Sequence, residues 1–89
     1  MSTAAAKLAS KIAARSTKSL IGLIDTMDTQ GMNTEESSIV RVAIVDELES
    51  RMTTAQDERY IALFSDEAWE TTKNMSTAAI LRVAYWGAA

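Results

Sequence analysis

The sequence predicts an all-α fold: a compact bundle of four to five helices forming a single helical domain over residues 1–89. Three observations predict it. Proline is absent, and only Gly22, Gly31 and Gly87 can serve turns that need glycine, too few for a β-rich fold of this length. Alanine, leucine, methionine, glutamate and lysine are plentiful, and all favour helix. Ser2, Asn33, Thr53 and Ser76 each precede a segment of helical periodicity, as N-capping residues do. At 47% hydrophobic and 24% charged the chain is too apolar for a disordered one. A chain of 89 residues also makes a small core, so association with a copy of itself or with a partner would add stability.

The first segment opens at Ser2. Ala5, Leu8, Ala9, Ile12, Leu20, Leu23, Ile24 and Met27 fall on one broad face at helical spacing. Lys7, Lys11, Arg15 and Lys18 fall away from it. The two stripes stay in phase across Ser16-Thr17, which predicts one long amphipathic helix over residues 3–29. Ser16 and Ser19 near the apolar face mark where a break would divide it in two. Gly31 supplies the left-handed residue of a Schellman ending, with Met32 returning to Met27 as its hydrophobic contact.

The second helix is expected over 34–52, with Asn33 as N-cap, Glu36 at N3, and acids at the positive helix end. Its centre, Ile39-Val40-Arg41-Val42-Ala43-Ile44-Val45, is apolar nearly all round and is expected to be buried on several sides. The β-branched run also suits a strand, but its flanks favour helix. Thr53 with Gln56, or Thr54 with Asp57, restarts a helix. Tyr60, Ile61, Phe64 and Ala68 are spaced as one face of it, whether it runs to 72 or is nucleated again at Ser65-Asp66-Glu67. Ser76 caps the last helix, 77–86, and Gly87 ends it. The echo of Met1-Ser2-Thr3-Ala4-Ala5 in Met75-Ser76-Thr77-Ala78-Ala79 reads as two similar N-caps rather than a repeat.

Composition narrows the chemistry. There is neither cysteine nor histidine. Disulfides, zinc fingers, histidine acid–base catalysis and histidine-activated nucleophiles are therefore excluded. There is no glycine-rich phosphate loop, and no apolar run of membrane-spanning length or secretory type. The densest carboxylates, Asp46-Glu47 with Glu49, Asp57-Glu58, and Asp66-Glu67 with Glu70, read as solvated helix surface. The expectation is a non-enzymatic protein without cofactor or bound metal, located in the cytoplasm.

Ser19-Leu20-Ile21, Ile24-Asp25-Thr26-Met27-Asp28, Thr34-Glu35-Glu36 and the run Val40 to Arg51 together resemble small uncharacterised helical proteins of actinobacterial phages and plasmids. The resemblance spans Ser19 to Arg51. It implies a mobile-element origin and carries no activity and no site residues.

Three groups are candidates for partner binding. Arg41 and Arg82 are lone charges in apolar segments, and neither has an acid three or four positions away. Each is either an interface anchor or a side chain satisfied inside the protein. The aromatics Tyr60, Phe64, Trp69, Tyr85 and Trp86 all lie in the last third of the chain and suit a core corner. Trp86, just before Gly87-Ala88-Ala89, is expected instead to dock on a second chain. Lys7, Lys11, Arg15 and Lys18 are the only charged residues among the first 24, and later positions hold five basic against twelve acidic residues, so +4 stands against −7 in a chain of net charge −3. That stripe suits an anionic partner, or else pairs with the acidic remainder of the protein. The expected function is regulatory binding to another protein, a second copy of the chain included. The alternative is a nucleic-acid-binding regulator that uses the basic helix.

Overall fold

A computed structural model describes residues 3–87. Among them are six α-helices, more than the four to five expected because the first helix is broken and the chain is nucleated again after Ser65, and no strand. The helices are α1 (Thr3–Ala13), α2 (Thr17–Thr29), α3 (Glu35–Arg51), α4 (Thr54–Ala62), α5 (Trp69–Thr72) and α6 (Thr77–Trp86), with a single 3-10 turn at Asp66–Ala68. The chain divides into two compact units, Met1–Ser50 and Arg51–Ala89. The expected cap at Ser2 lies outside the described residues.

The first unit contains α1, α2 and nearly all of α3. The long first helix expected over 3–29 is two helices. The break falls at Ala14-Arg15-Ser16, because Ser16 takes an extended conformation (φ −67°, ψ 157°) and its hydroxyl accepts the Ser19 N–H. A serine that caps the backbone from outside a helix competes with staying inside one. The break costs three residues, close to one helical turn, so the apolar stripe stays in phase and conceals it. The buried apolar residues of this unit are Ile12, Leu20, Ile21, Ile24, Met27, Ile44 and Leu48. Ala4, Ala5, Leu8 and Ala9 of α1 share a cavity with Ile39 and Ala43, while Ala9 and Ile12 share another with Ala43, Asp46 and Ser50. Rising positions on α1 therefore stand beside rising positions on α3.

The end of α2 matches its sequence signal. Gly31 is left-handed (φ 64°), Met32 N–H reaches the Met27 carbonyl at 3.0 Å and Gly31 N–H reaches that of Asp28 at 3.2 Å. These are the two bonds of a Schellman motif. The cap of α3 is Thr34, not Asn33: the Ser37 N–H donates to Thr34 Oγ1 at 3.1 Å. The Schellman turn reaches as far as Met32, and starting one residue later puts Glu35 and Glu36 in the first turn, against the positive end of the dipole. The apolar centre of α3 is helical but not buried on several sides. Ile44 is buried, whereas Ile39 and Val42 are 57% and 59% exposed.

The second unit contains α4 to α6. Thr53 and Gln56 form the expected capping box, Gln56 N–H to Thr53 Oγ1 at 3.2 Å and Thr53 N–H to Gln56 Oε1 at 2.9 Å. The chain is nucleated again after Ser65 rather than continuing to 72. Phe64 and Ser65 N–H close three-residue turns onto Ile61 and Ala62, and Ser65 Oγ takes the Ala62 carbonyl at 2.7 Å. Packing of α4 against α6 organises the unit. Ser76 caps α6 through the Ala79 N–H, and left-handed Gly87 (φ 76°) ends it. Thr72, Ala78, Leu81, Ala84 and Tyr85 are buried.

Candidate functional site

In the second unit the early end of α4 decides which apolar side chains are covered. Tyr60 and Phe64 still meet edge to face, with ring centroids 5.2 Å apart. The single face expected of Tyr60, Ile61, Phe64 and Ala68 does not form. Instead Phe64 and Trp69 line a cleft of about 220 Å³ with Leu63, Thr72, Lys73 and Ile80. Phe64 and Trp69 are nonetheless 63% and 60% exposed. The cleft rim carries the Lys73–Glu70 ion pair at 2.8 Å. The aromatics are thus not a core corner: Tyr85 is buried, Tyr60 is half-buried, and Phe64, Trp69 and Trp86 are exposed. A cleft of this kind carries little sequence signal, because its walls come from the end of α4, from α5 and from α6.

Trp86 stands at the end of α6, about half exposed, with its ring 5.9 Å from that of buried Tyr85. The carbonyls of that last turn are held from α4. Arg59 donates to Ala84 and Tyr85, and Gln56 Nε2 donates to Tyr85 at 3.3 Å. Neither role is legible in the sequence, where Arg59 is one charged residue among many. Arg82 is half-buried on α6.

In the first unit Arg41 makes an ion pair with Asp28 across the α2–α3 hairpin. Its partner was invisible to local spacing, being thirteen positions away. Arg41 thus has a charge partner within the first unit. Above the hairpin lies an open groove of about 400 Å³, lined by Leu23, Met27, Met32, Val40 and Ile44, with Thr26, Thr34, Glu36 and Ser37 along its edges. Met27 and Met32, the two residues of the foreseen Schellman contact, both line it.

The break after α1 divides the basic stripe. Lys7 and Lys11 lie on α1, Arg15 in the turn and Lys18 in the first turn of α2. All four are exposed. Arg15 donates to Ser19 Oγ at 3.1 Å, and none of the four forms an ion pair among the described residues. Contact ion pairs with the acidic remainder, one of the two expectations, are not formed by these four among the described residues. The residues of the three dense carboxylate groups are exposed apart from half-buried Glu47. No group of three or more among the described residues is placed to hold a metal, and no helix there is long and apolar enough to cross a membrane. The chain matches no protein-family model, no curated protein and no solved structure.

Proposed function

We propose that the chain is a non-enzymatic protein that acts by binding another protein, as a small cytoplasmic regulator of the mobile-element kind its sequence resembles. The observation that supports this most is the exposed pair Phe64 and Trp69 around the cleft of the second unit. Large aromatics left in water forgo the transfer free energy of burial, and aromatic anchors seated in pockets dominate protein interfaces. The volume of about 220 Å³ is below the ~300–1,000 Å³ of most small-molecule sites and suits one anchoring side chain. A second copy of the chain is one such partner, with Trp86 as its exposed aromatic. The test is affinity purification from the native host with the parent chain and with a Phe64→Ala/Trp69→Ala variant, beside light scattering of both. A partner, or a dimer, held by the parent and lost by the variant supports the reading. Identical retention by both overturns it.

A second reading, nucleic-acid binding, is favoured by one observation: the four cations of the α1–α2 stripe are exposed and unpaired with acids among the described residues. Replacing Lys7, Lys11, Arg15 and Lys18 with Gln would then flatten the log–log salt dependence of duplex binding by about 3.6 units. Retention on a DNA column that is salt-insensitive, or equal for parent and variant, removes this reading.

A further inference from the structure

We propose that the groove between α2 and α3 is a docking site for a basic amphipathic helix of a protein partner, separate from the aromatic cleft of the second unit. The groove has a volume of about 400 Å³, and its apolar walls are Leu23, Met27, Met32, Val40 and Ile44. An apolar groove lined from two helices and the turn between them can receive a third helix, which lays its apolar face into it. Methionine suits the task, because its unbranched thioether adapts to the side chains it receives. Met32 is 49% exposed, held there by the Schellman bonds rather than by burial.

The polar edge gives the sign of the partner's charge. Thr26 Oγ1 donates to the Gly22 carbonyl, Ser37 Oγ donates to the Thr34 carbonyl, and Thr34 Oγ1 accepts the Ser37 N–H. Each of those hydroxyls already has a hydrogen-bond partner within the protein. Glu36 is different: its carboxylate is exposed and makes no hydrogen bond or ion pair among the described residues. Glu35 stands beside it in the same condition. The N-terminal dipole of α3 contributes roughly half a positive charge against these two carboxylates, so the edge stays negative. No lysine or arginine lines the groove. A neutral or acidic helix would meet uncompensated charge there, whereas lysines flanking an apolar stripe would meet complementary charge.

The probe is a synthetic helical peptide with leucines at i, i+3, i+4 and i+7 and lysines on its other face, compared with a twin carrying glutamates instead. Fluorescence anisotropy measures affinity and methionine-methyl NMR reports the site. We expect the lysine peptide to bind about tenfold or more tightly than its twin, with the Met27 and Met32 methyl signals moving and those of Met52 and Met75 unmoved. Glu36→Lys should reverse the preference. Met32→Ser, at a half-exposed position, should weaken binding about tenfold while circular dichroism stays unchanged. Absence of binding, equal affinity for both peptides, shifts confined to Met52 and Met75, or a preference untouched by Glu36→Lys would each overturn the proposal. The Phe64→Ala/Trp69→Ala variant should bind the lysine peptide as the parent does, which separates this site from the aromatic cleft.

Discussion

Arg59 of α4 donates to the carbonyl of Ala84 in α6 from both Nε and Nη2, at 3.0 and 2.9 Å. The last carbonyls of a helix have no partner within it. In α6 the Val83 carbonyl is taken by the Gly87 N–H, and those of Ala84 and Tyr85 by Arg59 and Gln56. The cation also sits at the negative end of the helix dipole. The contact thereby ties the Trp86-bearing turn to α4.

Arg59→Ala should therefore destabilise the protein by about 1–2 kcal/mol in urea titration, the lower part of the range for charged hydrogen bonds because the side chain is exposed. Arg59→Lys should recover only part of this, since an ammonium cannot reproduce the planar fork. An unchanged midpoint for Arg59→Ala would show that the clamp contributes nothing.

Gly31 and Gly22 should respond to alanine with opposite signs. A Cβ at either position would meet no heavy atom within 4 Å, so backbone conformation alone decides. Gly31 has φ 64°, where an L side chain costs about 1–2 kcal/mol. Gly22 is inside α2, where alanine should stabilise by about 0.5–1 kcal/mol. Thermal melts of the two variants should move in opposite directions.

The Arg41–Asp28 pair has side chains 31% exposed on each partner. A double-mutant cycle with Arg41→Met and Asp28→Asn should return a coupling of about 0.2–1 kcal/mol, falling as salt is added. A much larger coupling would mean that the pair is effectively desolvated.

Ile24 and Ile39 are the same residue type in neighbouring helices with opposite fates, 0% and 57% exposed. Ile24→Ala should cost about 2–5 kcal/mol, and Ile39→Ala no more than about 0.5 kcal/mol. Comparable losses at both positions, measured by chemical denaturation, would contradict the burial pattern.

Most of the helix ends were legible because a cap is a local event. Thr53 with Gln56, Ser76, Gly31 and Gly87 satisfy backbone groups within a few residues, so the side chains that do it stand beside the groups they serve. Where two capping residues compete locally, as Asn33 and Thr34 do, or where a serine is free either to cap or to continue, as at Ser16, the pattern was ambiguous to within a turn. The periodic stripe crossing Ser16 could not resolve it, because a three-residue break leaves the phase almost unchanged.

The sequence by itself determined the all-helical class, the capping box at Thr53 and the endings at Gly31 and Gly87, since these follow from propensity and short-range hydrogen bonding. Only the tertiary structure decided that Ile24 is covered while Ile39, Phe64 and Trp69 are not, that Arg41 meets Asp28, and that Arg59 reaches the end of α6. Burial and pairing of this kind depend on atoms brought from distant positions, and their free energies are realised only when those positions are packed together.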